Sequence, residues 1–148
     1  MSWIRLSFLE KHRDWGLLVI RLGVGLAYMA HGWPIISGGV GFWTKLGGAM
    51  AVIGITFAPV FWGFMAAVSE FFGGLLVALG LFTRPAAGFM GFTMLIALST
   101  HLSRGDAYAI YSHPLKMVFV FIGLVLLGAG KYSFDNWCER GKPEPPKE

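Results

Sequence analysis

The chain has 148 residues, of which 55% are hydrophobic, 16% aromatic and only 14% charged, with a formal net charge of +4. That balance fits one membrane domain and excludes an ordinary soluble globule. The basic residues are dispersed at the ends of apolar stretches and never form a stripe interleaved with aromatics, which excludes a nucleic-acid surface.

Residues 1–15 mix Trp3, Ile4, Leu6, Phe8, Leu9 and Trp15 with Arg5, Lys11 and Arg13, the pattern of a helix lying on the membrane surface. A first apolar span follows over 16–36. It retains Arg21 and lacks a convincing A-x-A exit, so it is read as a permanent helix and not as a cleaved leader. Arg21, Val24, Gly25, Tyr28 and Gly32 recur at helical spacing on one face, with His31 on its flank. Residues 37–57 form a long connection in which Phe42 to Ile55 reads as a short apolar helix, too short to cross independently. It is placed as an interfacial or re-entrant segment, with a lid over the bundle as its functional reading.

The second span, 59–82, carries Glu70 near its middle. A carboxylate at that depth costs ~3 kcal/mol or more unless paired, protonated or wetted, so it should face protein. Ala66, Ala67, Gly73 and Gly74 lie three and four residues away and leave one face without bulk, inviting close approach of another helix. Counting from Trp15 and from Pro59 puts Arg21 ~9 Å and Glu70 ~14 Å above the inner boundary at ~1.5 Å per residue. An Arg21 to Glu70 ion pair is therefore predicted. The competing reading has Arg21 snorkelling to headgroups and Glu70 protonated.

The third span, 86–102, follows the compact turn at Thr83, Arg84 and Pro85, where Thr83 is expected to cap the helix and Pro85 to occupy its first turn. It puts Thr93, Ala97, Thr100 and His101 broadly on one side. An outer loop with Arg104, Asp106, Tyr108, Tyr111 and His113 leads to Pro114, which is taken to open the fourth span over 115–130, with Lys116 in its first turn. His31 and His101 fall at one outer level, and His113 and Lys116 join that layer. Together they could line a polar pocket. A tail over 131–148 closes the chain, its Pro-rich end read as disordered. The expected fold class is an all-α membrane protein, a four-transmembrane-helix bundle with short interfacial helices.

Eight of the twelve Lys and Arg residues lie before the first span, between the second and third, or after the fourth. Positive charge marks the cytoplasmic side, so a multi-pass inner-membrane protein with both termini cytoplasmic is predicted. The single Cys138 allows no internal disulfide and no CxxC pair. Neither a flavin, a haem nor an iron-sulfur motif is visible, and the three outer histidines match no compact metal motif, so no metal site is assigned.

Arg21-Leu22-Gly23 with His31-Gly32, then Ser69-Glu70-Phe71-Phe72-Gly73-Gly74-Leu75-Leu76 through Gly80-Leu81-Phe82-Thr83-Arg84, and finally Gly128-Ala129-Gly130-Lys131-Tyr132-Ser133-Phe134-Asp135, resemble the DoxX family of small bacterial membrane proteins. The family is named for a subunit linked to thiosulfate:quinone oxidoreductase. The resemblance implies a four-helix inner-membrane fold and association with quinone-linked redox chemistry. The chain departs from a basic residue often found shortly after the His-Gly pair, having Pro34-Ile35 there.

The leading functional reading is a quinone-linked redox component that acts with a partner oxidoreductase. Glu70, Arg21, His31 and His101 are its candidate catalytic residues, and Tyr28, His31, Thr100, His101, His113 and Lys116 its candidate cofactor-binding residues. In it, His31 or His101 hydrogen-bonds a quinone oxygen and Glu70 moves the proton. The alternatives are a non-catalytic assembly or interaction protein and a small-solute carrier gated by Glu70. Expected partners are the lipid bilayer, a quinone, an oxidoreductase and, as an open alternative, further copies of the chain.

Overall fold

A computed structural model describes residues 6–140. A 3-10 segment, Ser7–His12, leads into helix α1, Arg13–Ser37. Then come a short α2, Gly39–Gly47, a second 3-10 segment, Gly48–Ile53, and α3, Pro59–Leu79. Helices α4, Thr83–Ser103, and α5, Tyr108–Leu127, complete the long elements, and a one-turn-and-a-half α6 covers Phe134–Glu139. Four helices are long and apolar enough to cross a membrane, and no strand occurs among the described residues. At ~1.5 Å per residue the shortest of the four, α5 with 20 residues, still reaches ~30 Å. Of the surface helix expected over 1–15, Ser7–His12 form the 3-10 segment and Arg13, Asp14 and Trp15 already belong to α1, while Trp3, Ile4 and Arg5 lie outside the described residues. The expected disorder at 141–148 also lies outside them.

The long helices pack in a chain: α1 on α3, α3 on α4, and α4 on α5, while α2 lies along α3 and the second 3-10 segment touches α4. Glycine sets the closest of these contacts. A Cβ built on Gly25 would fall 2.5 Å from the Gly74 carbonyl oxygen, and one on Gly32 would fall 2.6 Å from the Phe71 nitrogen. Gly63 is pressed more tightly still against the Trp43 backbone, and Gly47 against Pro59, which docks α2 onto the first turns of α3. The small face read around Glu70 is thus the α1–α3 seam. A core of Tyr28, Val77, Met90, Met94, Phe121 and Leu124 fills the space among α1, α3, α4 and α5.

The fourth span begins earlier than expected, at Tyr108 and not after Pro114. Pro114 lies inside the helix and removes only the bond to the Ile110 carbonyl. Ile110 is exposed at the loop end of the helix and the Pro114 ring is buried, so packing offsets a cost of about 3 kcal/mol. The loop before it shrinks to 104–107.

At the opposite end the tail is tied down. The Asp135 carboxylate accepts hydrogen bonds from the Phe82 and Thr83 backbone N–H groups at 2.7 and 3.0 Å, and its own N–H donates to the Gly80 carbonyl at 2.9 Å. A residue 52 positions away therefore supplies the cap of α4 that Thr83 was expected to give; the Thr83 hydroxyl is buried without a partner among the described residues. Asp14 similarly accepts from the Lys131 N–H at 3.0 Å. Asp135→Ala removes two charge-assisted bonds at the start of α4, and a loss of about 2 kcal/mol is expected, read as a lower midpoint of thermal unfolding in detergent, with Asp135→Asn losing less.

Candidate functional site

The antiparallel register of α1 and α3 fixes what meets Glu70. Gly25 lies against Gly74 and Ala78, and Gly32 against Phe71 and the Glu70 carbonyl carbon, so the residue beside the carboxylate is His31. His31 Nδ1 and Glu70 Oε2 are 2.6 Å apart. Glu70 is 4% exposed, whereas the His31 side chain is 61% exposed. The pair thus runs from the protein interior to its surface.

The expected Arg21 to Glu70 pair does not form. The same register carries Arg21 down to Gly80, just beyond the end of α3, about 15 Å from the level of Glu70 at ~1.5 Å per residue. There the guanidinium is fully buried and donates through Nη2 to the Tyr132 carbonyl, with Nε and Nη1 lacking partners among the described residues. A side chain at Gly80 would overlap that guanidinium. The depth count failed because α1 runs past the end of α3: the two helices do not start from a common inner plane.

On its other side Glu70 reaches a cavity of about 460 Å³ between α2, the second 3-10 segment, α3 and α4. Phe42, Phe61, Trp62, Met65, Phe89 and Phe92 supply much of its wall. Thr93, Ala97, Thr100 and His101 all line it, the one-sided set read from the sequence of the third span. The hydroxyls are partly spent locally. Thr100 Oγ1 donates to the Ile96 carbonyl at 2.8 Å, and the Thr93 hydroxyl lies 3.0 Å from Ser69 Oγ, joining α3 to α4. Lys45 and Arg104, both exposed, belong to the same lining, and neither forms an ion pair with a described carboxylate. His101 Nδ1 is 2.7 Å from Asp106 Oδ2. The Trp62 indole N–H beside the cavity is buried without an acceptor among the described residues.

The outer polar layer is therefore split in two. Tyr28, His31 and His113 gather where α1 faces α5: the Tyr28 hydroxyl is 3.5 Å from His113 Nε2, and the His31 and His113 ring centres are 6.3 Å apart. Thr100 and His101 belong to the cavity, on the far side of Glu70. Lys116 is exposed on α5, outside the cavity lining. The layer divides because α4 turns its polar face toward α2 while α5 brings His113 to Tyr28. The lining contributed by Lys45, Ala49 and Met50 was not read from the sequence as a site. Its only signal was the apolar segment proposed as a lid. No group of three or more His, Cys, Asp or Glu side chains that could hold a metal occurs among the described residues.

Four apolar helices enclosing a buried carboxylate beside an apolar-walled cavity define a polytopic membrane protein with an internal site. Residues 16–102 match the DoxX family, and the chain belongs to it. It is 31% identical over 131 residues to the inner membrane protein YqjF of Escherichia coli (strain K12), covering 86% of this chain and 95% of that protein. No solved structure matches.

Proposed function

We propose that the cavity between α2, α3 and α4 binds the ring of a membrane quinone, and that the protein works as the quinone-binding membrane component of a partner oxidoreductase. The observation that carries this reading is the placement of one buried carboxylate, Glu70, on an otherwise largely apolar and aromatic cavity wall. At about 460 Å³ the cavity lies within the ~300–1,000 Å³ usual for small-molecule sites. The donor set fits the group: the Trp62 N–H lacks an acceptor among the described residues, and Thr100 and His101 offer polar contacts to ring oxygens. A bound quinone would supply a two-electron, two-proton acceptor, with the electrons coming from the partner. Phe89 and Phe92 hold a flat ring, Glu70 gives or takes a proton at the cavity wall, and Arg21 serves the opposite end of the bundle. Lys11, Arg13, Arg84, Lys131 and Arg140 at the end carrying the tail, against Lys45 and Arg104 at the other, support placing both termini in the cytoplasm of an inner-membrane protein.

Titration of a short-chain benzoquinone into the purified protein, followed by quenching of tryptophan fluorescence, tests this. Saturable quenching is expected for the wild type and its loss for Ala97→Trp, which fills the cavity. Thermal unfolding should show that this variant remains folded. Absence of saturable quenching in the wild type, or equal quenching in both proteins, rejects the quinone site. Stable co-purification of a partner without quinone binding would instead support the assembly reading.

A further inference from the structure

The geometry points to a proton route that leaves the cavity through Glu70 and His31, to the groove shared with Tyr28 and His113 and away from the exposed lining residues Lys45 and Arg104. It adds to the quinone reading the path by which Glu70 is recharged, and it stands on three observations. Glu70 belongs to the cavity lining and is almost completely buried, so its carboxyl group needs a conductor to water. Its hydrogen-bond partner is an imidazole, which accepts a proton on one nitrogen while releasing another. That imidazole is mostly exposed, and no residue of the groove beyond it lines the cavity.

His31 lies six positions before the end of α1 and His113 five after the start of α5, so both sit roughly 8 Å inside the loop end at ~1.5 Å per residue. With Nδ1 on Glu70, the second ring nitrogen of His31 is free to exchange with the groove. His113, 6.3 Å away between ring centres and in contact with the Tyr28 hydroxyl, extends the polar surface toward water. One proton enters His31 from the groove and another passes from Nδ1 to Glu70, so charge is conserved at each transfer and no electron is involved. The competing route runs through the cavity itself, past His101 and the exposed Lys45 and Arg104. His101 is held by its own carboxylate, Asp106, and its hydrogen bond runs to that residue and not to Glu70. A ligand filling the cavity closes that route, whereas the route through His31 stays open while the site is occupied.

The test follows protonation of Glu70 after a pH jump, by the infrared carboxyl band that Glu70→Gln removes. It needs neither a quinone nor a partner. Ala97→Trp, with the cavity filled, should protonate at the wild-type rate. His31→Ala in that background should be slower on the order of 100-fold. Added imidazole should restore the rate, because His31 is exposed enough for the free base to take its place, a rescue that a merely structural loss would not show. His101→Ala should leave the rate unchanged. A rate that falls on filling the cavity or in His101→Ala, and is unaffected in His31→Ala, overturns the route. Failure of benzoquinone to quench with the exchange results intact would reject the quinone reading alone.

Discussion

Gly25→Leu is expected to force α1 away from α3 and to be among the most damaging substitutions in the transmembrane region. Backbone meets backbone at this point, since a Cβ on Gly25 would lie 2.5 Å from the Gly74 oxygen and 2.7 Å from both the nitrogen and the Cβ of Ala78. None of these is the end of a flexible side chain, so nothing can swing aside and the two helices must part. Overfilling a packed contact costs about 1–3 kcal/mol, and a leucine forced against main chain belongs at or above the upper limit. In a membrane the seam has no hydrophobic effect to hold it, only close packing and hydrogen bonds, so separation forfeits most of what joins α1 to α3. The expected result is a drop in thermal midpoint large enough to leave little folded protein in mild detergent. Gly23→Leu is the control: it lies on the same helix with nothing within 4 Å, and its midpoint should stay near that of the wild type. Equal behaviour of the two variants would show that α1 does not seat on α3 at Gly25. A milder replacement, Gly25→Ala, should retain the fold with a loosened seam and a weaker His31–Glu70 contact.

Hydropathy made the membrane class and the four long helices legible, because bilayer thickness sets their length and composition sets their solvent. The small residues beside Glu70 and the one-sided run Thr93, Ala97, Thr100 and His101 were also readable, since helical periodicity alone decides which positions share a face. Which basic residue meets Glu70 was not readable. That depends on the vertical offset of two helices, and the offset is set by where Gly25 and Gly32 find backbone to rest against, not by counting from interfacial aromatics. The cap from Asp135 was hidden for a related reason: a local rule assigns the start of α4 to its own threonine, while the tail delivers a stronger acceptor from a distance. The cavity itself was suggested only through a lid segment and a polar pocket among the outer histidines, because a pocket is the space left by α2, the 3-10 segment, α3 and α4 together and no single stretch encodes it.

The pairing of Glu70 is open to a direct energetic test. His31→Ala and Glu70→Leu should each destabilise the protein, but the double variant should lose less than the two losses added. Replacing the imidazole strands a carboxylate that is 4% exposed, and this strands a group whose desolvation is already complete. Replacing the acid frees an imidazole that can turn to water, since its side chain is 61% exposed. A hydrogen bond to a charged group is worth about 1.5–3 kcal/mol, and exposure of one partner lowers that, so a coupling of about 1–2 kcal/mol is expected from unfolding midpoints of the four proteins. The matching cycle with Arg21→Met in place of His31→Ala should be additive to within about 0.5 kcal/mol, because the guanidinium is held at the far end of α3 by the Tyr132 carbonyl. Coupling between Glu70 and Arg21 with none to His31 would mean that α1 sits several turns higher on α3 than the glycine contacts allow. The proton route would then lose its first step as well, since both rest on the same register.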